Sequence, residues 1–159
     1  MKTLCIYHTR TGHSEQIART LAASLGADLL PISDGKAYRG FFGYIAAAVT
    51  GLKKRLPDIT PAAPPCPLEE YDKIILVAPI WCENVSPVLR AFLAQNRDRL
   101  RGALYYVIGS MSGISYLPRI EALAALAGKP YADLLQVKTH KNDYSQAVAA
   151  FAAKIKEEP

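Results

Sequence analysis

Cysteine is scarce in this sequence, and its few copies are not arranged as pairs. Cys5, Cys66 and Cys82 form no Cys-x-x-Cys motif, and their spacing from the three histidines does not match a zinc site. An odd number of widely separated cysteines argues against a disulfide scaffold and favours a reducing compartment. We therefore expect a cytoplasmic protein without a bound metal.

Long hydrophobic runs are also missing. The longest apolar stretch, residues 41–52, is interrupted by Gly43, Thr50 and Gly51 and is shorter than a membrane span. The apolar run at residues 4–7 is too short for the core of a signal peptide. We therefore expect no membrane association. Residues 41–54 are predicted to form a helix that is either buried or a surface for a partner or a second copy.

Charge is modest, with a small positive excess. The chain of 159 residues has 19 Lys and Arg against 14 Asp and Glu, and half of its residues are hydrophobic. This composition excludes a disordered protein and is sufficient for the core of one domain, which we expect to span residues 1–159. The basic residues form short groups without interleaved aromatics, so nucleic acid is not an expected partner.

Strand-like and helix-like segments alternate along the chain. Short apolar runs predict strands at 3–7, 27–32, 73–78, 103–108 and 134–139. Apolar residues at helical spacing, with Ser86 and Pro87 as start signals and Gly26 and Gly128 as stop signals, predict a helix after each strand. The predicted helices are 14–25, 41–54, 85–100, a segment that ends near residue 127, and 144–156.

This alternation predicts an α/β fold of three layers, with a doubly wound, five-stranded parallel sheet between two layers of helices. In such a sheet, ligands bind beyond the carboxyl ends of the strands, at the point where the strand order reverses. For the order 2-1-3-4-5 this point lies between the first and third strands. The loops after the first, third and fourth strands are therefore expected to share one crevice.

The loop after the first strand is rich in hydroxyl groups. Thr9, Thr11 and Ser14 surround Gly12 at the start of a predicted helix. A phosphate is bound by short side-chain donors, by a glycine that permits close backbone approach, and by the free N–H groups of a first helical turn. The alternative interpretation is an ordinary Ser- or Thr-capped helix that follows a polar turn.

Other phosphate sites do not fit this loop. It contains neither Gly-x-Gly-x-x-Gly nor Gly-x-x-x-x-Gly-Lys, so dinucleotide and triphosphate sites of the usual form are not expected. Tyrosine phosphatase chemistry of the low-molecular-weight type needs five residues between a cysteine and an arginine. Cys5 and Arg10 are separated by four, and Cys5 lies within the predicted strand.

Three segments resemble those of flavodoxins. Residues 6–15, IYHTRTGHSE, resemble the flavodoxin phosphate loop, whose pattern after the first strand is Ser/Thr-x-Thr-Gly-x-Thr/Ser. Residues 78–87, APIWCENVSP, are similar to the flavin-ring loop, and residues 38–44 are similar to those of some members. Their order and spacing match over nearly the whole chain, without a long insertion in the last strand. The chain is therefore similar to the short-chain flavodoxins.

This resemblance implies a flavodoxin-like fold with strand order 2-1-3-4-5 and an FMN cofactor. The implied phosphate-binding residues are Thr9, Arg10, Thr11, Gly12, His13 and Ser14. The implied neighbours of the isoalloxazine ring are Pro79, Ile80, Trp81, Cys82, Glu83 and Asn84 in the second loop, and Ser110, Ser112, Gly113 and Tyr116 in the third. Trp81 is the expected stacking partner, because its large flat ring excludes water.

The function that the resemblance implies is electron transfer between redox protein partners. Because the cofactor carries the chemistry, no catalytic acid, base or nucleophile is expected. Many flavodoxins are acidic, whereas this chain has a formal charge of +5, which favours acidic partners. An FMN-dependent NAD(P)H or quinone oxidoreductase and a flavodoxin-fold module that has lost FMN binding remain alternatives, as do the monomer and the homodimer.

Overall fold

A computed structural model describes residues 1–35, 43, 45–46, 49, 56–61, 64–81, 84–111, 117–139 and 144–158. Their strands are β1 (Thr3–Tyr7), β2 (Asp28–Ser33), β3 (Thr60–Pro61), β4 (Lys73–Trp81), β5 (Asn84–Val85), β6 (Leu104–Met111) and β7 (Asp133–Lys138). Their helices are α1 (His13–Leu25), α2 (Pro87–Asn96), α3 (Leu117–Ala127) and α4 (Ser145–Glu157), with short 3-10 turns at Leu68–Glu70 and Asp98–Leu100. Most of the predicted helix at 41–54 lies outside the described residues. Within the described ranges, no helix is long and apolar enough to cross a membrane.

The strands of the described residues form one sheet around a parallel centre. The five longer strands are arranged in the order β2-β1-β4-β6-β7, and all four pairings between them are parallel. The two-residue strands β3 and β5 add antiparallel pairs to β2 and β4. The five predicted strands and their order, 2-1-3-4-5, are therefore confirmed.

Strand β1 shows how the sheet divides the core into two layers. Its residues alternate in direction, because successive side chains of a strand point to opposite faces. Leu4 and Ile6 belong to the cluster that contains buried residues of α2 and α3, whereas Cys5 and Tyr7 pack with residues of α1 and α4. Both faces are thus covered, which explains why the central strands are continuous apolar runs rather than alternating ones.

Two helix boundaries follow the predicted signals. The Oγ of Ser86 accepts a hydrogen bond from the amide of Leu89, and Pro87 occupies the first position of α2. Gly26 ends α1 in the left-handed conformation, with φ at 63°.

Two predicted strand ends were too early. Strand β4 continues from residue 78 to Trp81, because Ile80 and Trp81 pair with Val85 and Asn84 of β5. Strand β6 continues beyond its predicted end at residue 108, since Ser110 and Met111 pair with β7. Both extensions lengthen the sheet at its carboxyl end, where the crevice was expected.

Candidate functional site

The carboxyl ends of four parallel strands meet at one cleft. Strand β1 lies between β2 and β4, so the direction in which strands are added reverses beside it. The cleft is at this topological switch point, the usual ligand position in a doubly wound sheet. Its lining residues are Thr9, Arg10, Thr11, His13, Ser14, Pro79, Ile80, Trp81, Ser110 and Thr139.

At one end of the cleft, a left-handed glycine sets the start of α1. Gly12 occupies the N-cap position with φ at 91°, a conformation that glycine adopts at little cost. Its amide donates a 3.0 Å hydrogen bond to Oγ1 of Thr9, and its carbonyl accepts the amide of Gln16 at 2.9 Å. Oγ1 of Thr9 acts as an acceptor in this turn. The proton of its hydroxyl group can therefore be donated to an anion. The N-terminus of α1 adds a partial positive charge.

A pair of buried hydroxyls joins α1 to the end of β6. The Oγ atoms of Ser14 and Ser110 are 2.8 Å apart, and the two residues are 2% and 6% exposed. Either hydroxyl can donate to the other, so the pair uses one of its two protons. The second proton is a donor for a ligand in the cleft, which both residues line.

Tyr144, just before α4, holds His13 at the rim of the cleft. Its hydroxyl donates to Oε1 of Gln16 at 3.0 Å and lies 3.5 Å from Nδ1 of His13. The two rings meet edge to face, with centroids 6.4 Å apart. Arg10 and His13 lie on the same loop as the hydroxyls of Thr9, Thr11 and Ser14.

The apolar part of the cleft lining is formed by Pro79, Ile80 and Trp81 at the end of β4. Trp81 is only 7% exposed, so its indole is held by the protein rather than projecting into solvent. The ring of His8 packs edge-on against it, at a centroid distance of 5.3 Å. Burial lowers the pKa of His8 to about 4, against the opposing effect of Asp34, so this imidazole is neutral at pH 7.

The structure brings most of the predicted site residues together. Those from the first loop line the cleft with the exception of Gly12, which shapes the turn, and Pro79, Ile80, Trp81 and Ser110 line it as well. Asn84 pairs with Trp81 and is not among the lining residues. Whether any of these residues contacts FMN stays a prediction. The predicted residues outside the described ranges are Cys82, Glu83, Ser112, Gly113 and Tyr116.

Sequence reasoning missed three residues at this site. Thr139 directly follows β7 and lines the cleft. The rule that ligands bind beyond the carboxyl ends of the strands could therefore have identified it. The alternation along β1 places His8 on the same face as Leu4 and Ile6, which is a signal for its burial. Nothing in the sequence pairs Tyr144 with His13, because the two are 131 positions apart.

The position of Cys5 agrees with the exclusion of phosphatase chemistry. The side chain is fully buried within β1, and burial raises the pKa of its thiol. A thiol of this kind is not a nucleophile at neutral pH, because the thiolate is the reactive form.

Comparison with known proteins identifies the fold. The sequence matches no protein-family model and no curated protein. Among solved structures, the chain is similar to a protein of Bacteroides eggerthii that is classed as a flavoprotein, with 20% identity, a TM-score of 0.78 and 98% of each chain covered. It is also similar to a flavoprotein from Lactobacillus acidophilus in complex with FMN, with 17% identity, a TM-score of 0.69 and coverage of 85% of this chain and 92% of the other.

A third similar structure is oxidised flavodoxin 1 from Bacillus cereus. Its identity to this chain is 16% and its TM-score is 0.64, with 100% of this chain and 99% of the other covered. These identities are low, but the superpositions extend over nearly the whole of each chain. The protein therefore has the flavodoxin fold.

Proposed function

We propose that this protein binds FMN in the cleft beyond β1, β4 and β6 and transfers electrons through it. The observation that carries the proposal is the division of the cleft lining between hydroxyl-bearing and basic residues of the first loop and the apolar and aromatic residues at the end of β4. FMN has the same division, with a phosphate at one end and a flat ring at the other. The likeness to a flavoprotein in complex with FMN and to a flavodoxin supports the same cofactor.

The donors at the start of α1 fit a phosphate. Thr9, Thr11 and Ser14 offer hydroxyls beside the free amides of the first helical turn. A hydrogen bond to a charged group contributes about 1.5–3 kcal/mol, compared with about 0.3–2 kcal/mol from a helix terminus. Several such bonds can hold a dianion without a metal ion, and the guanidinium of Arg10 adds positive charge.

The wall formed by Pro79, Ile80 and Trp81 fits the isoalloxazine ring. An indole offers a large planar surface and excludes water from the ring that stacks on it. When bound, FMN supplies reversible acceptance and release of electrons. In this proposal, the chain binds the phosphate, orients the ring against Trp81 and keeps water from that face.

The proposed phosphate end is tested by removing two of its hydroxyls. We expect the double variant Thr11→Ala, Ser14→Ala to bind FMN at least tenfold more weakly, because each lost charge-assisted hydrogen bond is worth about 1.5–3 kcal/mol. The dissociation constant is measured by FMN titration at constant ionic strength.

Thr20→Ala is the matched control for that experiment. The Oγ1 of Thr20 donates to the carbonyl of Gln16 on the exposed face of α1, and Thr20 does not line the cleft. Its FMN affinity is expected to equal that of the unaltered protein. Equal affinity in the double variant would remove the first loop from the site.

Electron transfer is tested by stepwise chemical reduction of the FMN-loaded protein. A one-electron carrier is expected to take up its two electrons in separate steps, each with its own visible spectrum. Reduction in a single two-electron step, together with oxidation of added NADPH or NADH by a quinone, would instead favour the oxidoreductase.

A further inference from the structure

His8 is a buried polar side chain at the edge of the cleft that the proposed function does not use. It follows β1, is 4% exposed and does not line the cleft. Its amide donates a 3.0 Å hydrogen bond to the carbonyl of Val77, which ties the end of β1 to β4. His8 is therefore not expected to contact a ligand in the cleft directly.

Trp81 both contacts His8 and lines the cleft. The planes of the two rings are 75° apart and their centroids are separated by 5.3 Å, an edge-to-face arrangement. Aromatic rings prefer such geometry because the positive edge of one ring meets the negative face of the other. Since Trp81 lines the cleft, the orientation of the indole toward a ligand depends on what packs behind it.

The orientation of His8 is in turn fixed by Ser86. The Nδ1 atom lies 3.0 Å from the Oγ of Ser86, which is fully buried at the start of α2. That oxygen already accepts the amide of Leu89 at 3.4 Å, so its proton is suited to donate to Nδ1. This assignment requires a neutral imidazole whose Nδ1 carries no proton, because a protonated Nδ1 would instead donate to the hydroxyl oxygen.

We propose that His8 is a positioning residue, which fixes the orientation of Trp81 at the cleft through its edge-on contact and its hydrogen bond with Ser86. The chain of contacts runs from α2 through Ser86 and His8 to the indole. The part of this inference that concerns the flavin ring rests on the proposed function. The part that concerns Trp81 does not.

The contact depends on the protonation of His8. Burial lowers the pKa of its imidazole, the N-terminus of α2 opposes a positive charge, and the first turn of α2 has no acidic residue. Asp34, which follows β2, acts in the opposite direction but does not outweigh burial. The ring is therefore neutral at pH 7 and takes up its proton near pH 4, where the bond with Ser86 must reverse its direction and a positive charge arises beside the indole.

The test uses the intrinsic fluorescence of the FMN-free protein, because Trp81 is the only tryptophan in the chain. In the unaltered protein, we expect constant emission from pH 7 to 5 and a change with a midpoint near pH 4, with the far-UV circular dichroism preserved. His8→Asn retains an acceptor near Ser86 but removes the ring. It is expected to shift the emission at pH 7 and to abolish the acid transition.

His8→Phe separates the ring contact from the titration. It retains an aromatic edge but no titrating group, so its emission at pH 7 is expected to match the unaltered protein, without a transition near pH 4. If His8→Asn leaves the emission at pH 7 unchanged, or if either variant retains the acid transition, the positioning role is overturned.

FMN titration gives the second readout. His8→Asn is expected to weaken binding by about threefold to tenfold, because an indole that is no longer fixed must be ordered when FMN binds. Phe151→Leu is the matched control, because Phe151 makes a similar contact with Tyr106, at 6.3 Å and 86°, between α4 and β6 and away from the cleft. It is expected to leave both the affinity and the emission unchanged.

The two proposals fail in distinguishable ways. If the unaltered protein does not bind FMN while His8→Asn still shifts the emission of Trp81, the proposed function fails and the positioning role stands. If FMN binds but neither emission nor affinity responds to His8→Asn, the positioning role fails and the proposed function stands.

Discussion

At position 12 the backbone has a φ of 91°, and this angle determines how the first loop enters α1. Among the described residues, and apart from Gly12 and its chain neighbours, no atom lies within 4 Å of the position that a Cβ would occupy there, so an added methyl group would meet open space. The cost of replacing Gly12 is therefore conformational rather than steric.

Gly12→Ala is expected to lower the free energy of unfolding by about 1–2 kcal/mol, the cost of a left-handed conformation for a residue with a Cβ. It is also expected to weaken FMN binding, because relief of the strain would move the donors of the first loop. Urea unfolding and FMN titration measure the two effects.

Gly26→Ala is the matched control at the other end of α1. Gly26 also has a positive φ, of 63°, and also has open space around it. Its replacement is expected to cost similar stability without changing FMN affinity. Equal losses of affinity in the two variants would mean that the turn at Gly12 has no specific role in the cleft.

Individual site residues were predictable from the sequence where the composition of a loop indicated a binding site. The hydroxyl-rich first loop and the segment with Trp81 were identified from the sequence, and the structure places both at the cleft. The supporting residues His8 and Tyr144 were not predicted, because their roles depend on tertiary contacts with Trp81 and His13. Sequence patterns indicate periodicity and local start and stop signals. They do not indicate which side chains, far apart in the sequence, are in contact in the fold.

At the scale of secondary-structure elements, the end of α4 is anchored by a buried lysine. Lys73 begins β4 and is 3% exposed, and its ammonium group donates to the carbonyls of Ile155, at 2.7 Å, and of Glu158. The last carbonyls of a helix lack partners within it, so this side chain satisfies groups that would otherwise be buried without a bond.

Lys73→Met is expected to lower the free energy of unfolding by about 1–3 kcal/mol, because it removes charge-assisted hydrogen bonds and leaves buried carbonyls without a donor. FMN affinity is expected to remain unchanged, since Lys73 is at the amino end of β4 and the cleft is at the carboxyl end. Urea unfolding measures the stability.

Lys154→Met provides the comparison for that variant. Lys154 lies on α4 with its side chain 64% exposed and pairs with Asp133 at the surface. Surface ion pairs contribute little to stability, so its loss is expected to be the smaller of the two. A loss as large as that of Lys73→Met would contradict the anchoring role.

The presence of each helix and strand was predicted more reliably than its first and last residues. Residue 85 was assigned to a helix that was expected to cover 85–100, whereas Val85 belongs to β5 and pairs with Ile80. The helix itself ends at Asn96, and a short 3-10 turn follows at Asp98–Leu100. Both differences have the same cause. The pairing of β5 and the 3-10 turn depend on backbone hydrogen bonds, and the spacing of apolar residues does not indicate these bonds.

At the scale of the whole molecule, the apolar runs predicted the layers, and the flavodoxin resemblance supplied the strand order. A continuous run such as residues 73–78 indicates a strand covered on both faces, but it does not identify the neighbouring strands. The reversal of order beside β1 and the cleft at that position follow from the topology. The flavodoxin fold, and a cleft lined by loops of different chemical character, are thus consequences of one arrangement.

The central claim, that this arrangement binds FMN, is tested most directly by titration of the purified protein with FMN. We expect binding that saturates at one FMN per chain, with a change in the visible spectrum of the flavin and parallel quenching of the fluorescence of Trp81. An unchanged flavin spectrum and unchanged Trp81 emission in the presence of excess FMN would contradict the account.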